Sequence, residues 1–185
     1  SQNSFKALAI GNLLRLDMSE RKYDRELFLE YLSLPRSAPY YESRRVSNQR
    51  VGIVQLGFTM DPQVPLPAMG DDSALVRRYL EHFLQSEDTV DAFAAYLNRK
   101  YLEDVLAETQ ILYGLGDEAV WYSKLSPADQ RELRERIELR FAPHNQSHYV
   151  PNDAVSLDVE LKNIQQLTIN IFEINTLLSL IHISE

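Results

Sequence analysis

The sequence contains no cysteine. This absence excludes disulfide bonds, thiolate zinc sites and cysteine nucleophiles from the chain, and it is compatible with any redox compartment. Long apolar runs are also missing, because stretches such as 27–29 and 92–95 fall far short of the roughly 20 residues that cross a bilayer. The sequence therefore predicts no membrane contact for these residues.

Positive charge is scarce. The 185 residues carry 19 Lys and Arg against 27 Asp and Glu, a formal net charge of −8, and neither sign forms a long block. A nucleic-acid surface needs clustered cations that displace counterions from phosphates, so this balance argues against DNA or RNA as a partner. With 44% hydrophobic and 25% charged residues, the composition is that of an ordinary globular chain.

Hydrophobic spacing predicts a mainly α-helical region over residues 5–141. Asp24 is placed to cap one helix, Ser126 followed by Pro127 marks the clearest helix start, and Gly114 is typical of a helix end. Gly11 is a weak point in the first helix. The predicted helical segments are 5–16, 25–32, 75–83, 88–97, 100–113, 117–124 and 126–141, with Asp72 or Ser73 as the cap of the third.

The main irregular stretch lies between residues 35 and 72. Five of the eight prolines fall there, at Pro35, Pro39, Pro62, Pro65 and Pro67. Within it, residues 50–58 predict either a short strand or an extended strap. Apolar side chains continue through the stretch, so it is not interpreted as a domain boundary.

The pattern changes after Phe141. Residues 142–154 form a polar linker that contains Pro143 and Pro151. Beyond it, aliphatic residues alternate with polar ones in two runs separated by a turn at 162–166, and this predicts an antiparallel hairpin over residues 155–177. A lone hairpin is marginal in water, so these strands are expected to open an incomplete β-domain. The predicted fold class is therefore mainly α followed by the first strands of a truncated antiparallel β-sandwich, α+β overall.

The segment 155–164 followed by 167–176 resembles the opening strands of macroglobulin-like β-sandwich domains. It is also similar to very large bacterial and protist proteins in which a helical region precedes such a hairpin. The resemblance implies a multidomain protein built from β-sandwiches. It implies no protease trapping, because the chain has no Cys-Gly-Glu-Gln thioester motif.

The chain ends raise a separate expectation. Residues 178–185, Leu-Ser-Leu-Ile-His-Ile-Ser-Glu, resemble the translation of a sequencing adapter and are expected to be an artefact rather than part of the fold. The first residue is Ser1 rather than methionine, and upstream sequence is expected to be missing.

Two polar groups contain residue types that can bind metal ions. His144 and His148 are four residues apart, but they lie in a proline-bounded loop without a third ligand, so two loop histidines are the better interpretation. Gly70-Asp71-Asp72 resembles the carboxylate pair of nucleic-acid polymerases. Because it precedes a predicted helix, helix capping and dipole complementarity explain it instead.

The remaining motifs also favour structural roles. Gly114-Leu115-Gly116 lacks the third glycine of a dinucleotide loop and is interpreted as a helix-ending turn. Glu81 and His82 are adjacent on a helix and point about 100° apart, so they make a poor acid/base pair. Helical spacing predicts core packing rather than base stacking for the aromatic set Tyr79, Phe83, Phe93, Tyr96, Tyr101, Tyr113, Trp121 and Tyr122.

No residue is therefore assigned as catalytic, cofactor-binding or metal-binding, and no cofactor is expected. The favoured function is a non-catalytic structural or protein-interaction segment of a large multidomain protein, with other domains of the chain or other proteins as partners. Two alternatives stay open. One is an accessory domain of an enzyme, for instance a hydrolase whose active site lies elsewhere, and the other is a macroglobulin-like surface protein.

Overall fold

The computed structural model describes residues 2–42, 53–57 and 66–172, and helices dominate this part of the chain. The helices are α1 (Gln2–Ser19), α2 (Arg25–Ser33), α3 (Ser73–Leu84), α4 (Arg99–Leu112), α5 (Glu118–Lys124) and α6 (Pro127–Glu135). Two strands follow, β1 (Glu138–Phe141) and β2 (Val159–Lys162). The predicted mainly helical, α+β fold class is confirmed.

Local sequence sets the helix ends as predicted. Asp24 accepts a hydrogen bond from the Leu27 amide at 2.9 Å, and Ser126 accepts one from the Asp129 amide at 3.2 Å. Gly114 has φ +64° where α4 ends, and the Leu115 amide donates back to the Gln110 carbonyl at 2.8 Å. These contacts satisfy amides and carbonyls that a helix end leaves without intrahelical partners.

Two predicted helices differ from the structure. Residues 91–96 form successive turns rather than a helix, although Val90, Phe93 and Leu97 are buried as the spacing required. The helix that starts at Pro127 ends at Glu135, not at residue 141, because the chain becomes extended and enters β1. Arg and Glu residues continue at helical spacing along this segment, so the spacing did not show where the helix ends.

The strand β2 has a different partner from the one predicted. It pairs antiparallel with β1, with Leu139 opposite Leu161 and Arg140 opposite Glu160. The two strands of the sheet therefore precede and follow the predicted linker 142–154 in the sequence. Residues 163–172 form no strand, and residues 173–177 of the predicted hairpin lie outside the described residues, as do residues 178–185. The proposed division into domains stays a prediction.

The core lies between α1, α2, α3 and α4. Its largest fully buried side chains include Phe28, Tyr31, Tyr79 and Phe93, and the rings of Phe28 and Tyr79 stack with centroids 4.8 Å apart. Residues 53–57 cross this core as an extended strap, where the Val54 amide donates to the Pro35 carbonyl at 2.8 Å. Residues 50–52 and Phe58 of the predicted strand or strap lie outside the described residues. Ala107, Leu125 and Leu133 form a smaller cluster beneath α5 and α6.

Candidate protein-interaction surfaces

Asp72 occupies the N-cap position of α3, as the sequence predicted for Asp72 or Ser73, but its side chain is a buried anchor. Its side chain makes no capping hydrogen bond, and Asp71 accepts from the Ser73 amide at 2.9 Å instead. The Asp72 carboxylate accepts hydrogen bonds from Tyr31, Tyr40 and Arg36, and the Arg36 and Asp72 side chains are only 3% and 5% exposed. This arrangement ties the start of α3 to α2 and to the residues after it.

The environment of this anchor keeps its tyrosines neutral. Burial, together with the neighbouring carboxylate of Asp72, raises the pKa of Tyr31 and Tyr40 above their ordinary values. The Arg36 guanidinium also lies 3.9 Å from the Tyr31 ring centre and donates to the Tyr31 carbonyl. Every polar group of the anchor is engaged within the protein, so it is a structural feature rather than a binding site.

The sheet rests on the helices through a layer of charged side chains. Arg78 of α3 forms a bidentate pair with Glu160 at 2.8 and 2.7 Å, and Arg140 lies 3.3 Å from Glu81. We call this the charged layer; its members are Arg77, Arg78, Glu81, Glu108, Arg136, Glu138, Arg140 and Glu160. Burial opposes the charge of Arg77, but Glu108 and Glu81 hold its pKa above the ordinary value.

The opposite face of the sheet is apolar and exposed. Leu139, Phe141 and Leu161 are 40%, 60% and 46% exposed, and pairing places Val159 on the same side, opposite Phe141. We call these four residues the outer sheet face. Antiparallel sheets usually turn their apolar side to the core and their polar side to water. Here the charged side faces the helices, which leaves the outer sheet face as a candidate interaction surface.

A second apolar surface runs along α1. This helix buries Leu8, Ile10 and Leu14 against the core, yet Phe5, Leu13 and Leu16 on its other side are 44%, 44% and 55% exposed. Their positions, with the partly buried Ala9 between them, follow the spacing of a single helix face. We call these four residues the α1 stripe. A helix that is apolar on both sides usually has a partner on both sides.

The candidate polar motifs do not converge. His144 Nε2 lies 2.6 Å from Asp158 and 2.7 Å from Arg21, whereas His148 contacts Ser147, so the two histidines have separate partners. The bond from His144 holds the pKa of the Asp158 carboxyl below its ordinary value. Among the described residues, no group of three His, Cys, Asp or Glu side chains is arranged to hold a metal ion.

Glu81 and His82 also point to different neighbours. Glu81 is buried in the charged layer, whereas the His82 ring stacks on Tyr23 with centroids 3.8 Å apart, and burial lowers its pKa. Gly114 and Gly116, at φ +64° and +70°, form the turn after α4. Of the aromatic set, Tyr79 and Phe93 are fully buried, while Tyr113 is 44% exposed.

No helix in the described part of the chain is both long and apolar enough to cross a membrane.

The comparison with protein families identifies the family of this chain. The model of the actin-binding protein F N-terminal domain matches residues 1–137, which is most of the chain. This chain belongs to the actin-binding protein F N-terminal domain family. The matched residues include all six described helices and end immediately before β1.

A curated relative extends the similarity beyond the family domain. Actin-binding protein F of Dictyostelium discoideum is 28% identical over 179 residues, which cover 95% of this chain. Such coverage includes β1 and β2 as well as the helices. The chain spans only 7% of the length of that relative. No solved structure matches the chain.

These findings correct the macroglobulin-like resemblance. The family domain covers residues 1–137, and the relative matches almost the whole chain, so the helices and the sheet are both accounted for without a macroglobulin-like domain. The resemblance rested on alternating aliphatic residues in two short runs. Such alternation is shared by half-buried strands of many folds, which is why it was a poor guide to family.

Proposed function

We propose that this chain is a non-catalytic protein-interaction segment and that its partner is actin. The proposal is carried by membership of the actin-binding protein F N-terminal domain family. The curated relative is named as an actin-binding protein, and the region similar to it covers 95% of this chain.

The α1 stripe is the proposed contact surface. It lies within the family domain, and its three large side chains are exposed on one helix face. Burial of apolar surface is the dominant favourable term in most protein–protein association. Burying one leucine side chain contributes about 1.5–3 kcal/mol. The net charge of −8 argues against a contact driven by clustered positive charge on this chain.

Sedimentation of the chain with actin filaments tests both parts of the proposal. We expect the unmodified chain to enter the pellet with filaments, with little change when the salt concentration rises, since apolar contacts are not screened. The double variant Leu13→Ser/Leu16→Ser should bind at least about tenfold more weakly, because two buried leucines are lost. Val120→Ser is the matched control, as Val120 is also an exposed aliphatic residue, at 50%, but lies on α5.

The outcomes separate the partner from the surface. Failure of the unmodified chain to sediment with filaments would exclude actin as the partner. Equal sedimentation of all three proteins would retain actin but reject the α1 stripe. Urea unfolding of the two variants must give midpoints close to that of the unmodified chain, because the substituted side chains are exposed.

A further inference from the structure

Residues 142–158, which lead from β1 to β2, form a loop that is closed at its neck. The Asn145 side chain accepts a hydrogen bond from the Asp158 amide and donates one to the Asp158 carbonyl, both at 2.8 Å. The Ala142 amide donates to the same carbonyl at 2.9 Å. Amide groups make all three bonds, and amides do not titrate near neutral pH. The neck therefore stays closed while side chains around it gain or lose protons.

Three side chains connect this neck to the end of α1. Arg21, two residues beyond α1, donates to Asp158 Oδ2 at 3.0 Å, and its guanidinium lies 2.7 Å from His144 Nε2. The same Nε2 atom lies 2.6 Å from Asp158 Oδ2. We call Arg21, His144 and Asp158 the loop clasp. Arg21 belongs to the family domain, whereas the other two residues follow it in the chain, so the clasp joins these two parts.

The two contacts of His144 Nε2 require opposite states of one nitrogen. A guanidinium has only donors, so Arg21 can bond to Nε2 only when that nitrogen has a free lone pair. An ionised carboxylate has only acceptors, so Asp158 can bond to Nε2 only when that nitrogen carries a hydrogen. A neutral ring with its hydrogen on Nδ1 suits Arg21. A protonated ring carries hydrogens on both nitrogens, and it suits Asp158 alone.

The attachment of Arg21 therefore depends on the charge of the ring. Beside a neutral ring, Arg21 donates to two acceptors of the loop, Nε2 and Asp158. Beside a protonated ring, it loses the first acceptor, faces a second positive charge and shares Asp158 with that charge. Asp158 remains ionised throughout, because the bond from His144 holds the pKa of its carboxyl below the ordinary value.

We propose that the loop clasp is a proton-sensitive attachment, in which protonation of His144 releases Arg21 and loosens residues 142–158 from the end of α1. Histidine is the side chain whose charge ordinarily changes between about pH 5 and 8. Because the attached arrangement disfavours a proton on Nε2, attachment is present above this range and weakens as the pH falls through it.

The other charged and titratable groups near His144 have partners of their own. They line a cavity between the loop, α3, β2 and the ends of α1 and α4, and they are Tyr23, Arg78, Glu81, His82, Tyr113 and Glu160. Arg78 pairs with Glu160 and Glu81. Burial raises the pKa of Tyr23 and Tyr113, so both stay neutral in the histidine range.

The neighbouring histidines also differ from His144 in their contacts. The His82 ring stacks on Tyr23, and burial lowers its pKa, so it charges at a lower pH than an ordinary histidine. Within the loop, His148 contacts Ser147, and the Tyr149 hydroxyl donates to a loop carbonyl. Among these rings, His144 is the one placed between Arg21 and Asp158.

A spin label beside Arg21 measures the attachment, since the chain has no native cysteine to compete for labelling. Lys22 is suitable because its side chain is 67% exposed, so Lys22→Cys carries the label next to the clasp. The label broadens the amide resonances of residues 144–149 according to their closeness. We expect this broadening to fall about twofold between about pH 8 and pH 5, because exposed ionic contacts change populations only by small factors.

His144→Gln in the labelled chain should remove this pH dependence, since the glutamine carbonyl accepts from Arg21 at every pH and takes up no proton. His148→Gln is the matched control, because it removes the other histidine of the loop and should leave the pH dependence unchanged. Equal broadening at both pH values in the labelled chain would overturn the proposal. So would a pH dependence that survives His144→Gln, because another group would then release the loop.

Discussion

At the scale of single residues, Asp72 shows how burial changes the role of a side chain. The sequence predicted Asp72 or Ser73 as a helix cap, yet the Asp72 carboxylate makes no capping hydrogen bond and is enclosed by Tyr31, Tyr40 and Arg36. We expect Asp72→Ala to lower the free energy of unfolding by about 3–5 kcal/mol, because it leaves the Arg36 charge buried without its partner. The urea midpoint measures this loss.

Asp71→Ala is the matched control for this prediction. Asp71 is the adjacent acid, is exposed, and accepts hydrogen bonds from the amide and the hydroxyl of Ser73. Those bonds hold the pKa of the Asp71 carboxyl below its ordinary value, but water can replace them when the side chain is removed. We expect a clearly smaller shift in midpoint than for Asp72→Ala. Equal shifts would mean that the buried contacts of Asp72 contribute no more to the free energy of unfolding than the surface hydrogen bonds of Asp71.

The sequence identified residues with local partners and missed those with distant ones. Asp24 and Ser126 were predicted as caps because their partners lie three residues away, and Gly114 was predicted as a helix end for the same reason. The partners of Asp72 are 32 to 41 residues distant in the sequence, and no local sequence pattern indicates them. The α1 stripe was also missed, because helical spacing alone does not show which apolar residues the core leaves exposed.

At the scale of the elements, α1 lies close to the side chains of Met69 and Tyr31 at Gly11. A methyl group on Gly11 would lie 2.0 Å from the Met69 sulfur and 3.2 Å from a Tyr31 ring carbon. Glycine was interpreted as a weak point from the sequence, since alanine is favoured by about 1 kcal/mol within a helix. In the structure, the missing side chain leaves room for the thioether of Met69 and the ring of Tyr31.

We expect Gly11→Ala to destabilise the protein by about 1–3 kcal/mol through overpacking, despite its better helix propensity. The double variant Gly11→Ala/Met69→Ala tests the cause, because removal of the Met69 side chain makes room for the methyl group. Its destabilisation in urea should be smaller than the sum of the two single changes. Simple additivity would show that the cost of Gly11→Ala arises elsewhere.

The strands were harder to predict than the helices. Alternation of aliphatic residues correctly placed β2 but not its partner, since β1 is short and its residues continue the charged pattern of α6. Both strands form ion pairs with α3, Arg140 with Glu81 and Glu160 with Arg78. Such contacts join distant parts of the chain, so they are visible only in three dimensions.

At the scale of the whole molecule, the helical core and the sheet are stabilised by different forces. Helices α1 to α4 share a continuous apolar core, whereas the sheet is attached by the charged layer and leaves its apolar side in water. Elements with few buried apolar contacts open locally before the rest of a protein unfolds. The family domain also ends at residue 137, immediately before β1. These observations predict that the sheet separates from the helices in a sub-global opening.

Glu160→Gln tests that prediction, because it removes the carboxylate that pairs with Arg78 and lies 3.4 Å from Arg140. A pair that is partly exposed, as Glu160 is at 42%, contributes about 1 kcal/mol, so amides of β1 and β2 should exchange about fivefold faster. Amides of α3 and α4 should keep their rates, and added salt should act on the unmodified protein in the same direction. Glu103→Gln is the control, since it removes an exposed ion pair with Arg99 on α4. If amides of the helices and strands instead accelerate together, the sheet belongs to the same cooperative unit as the core.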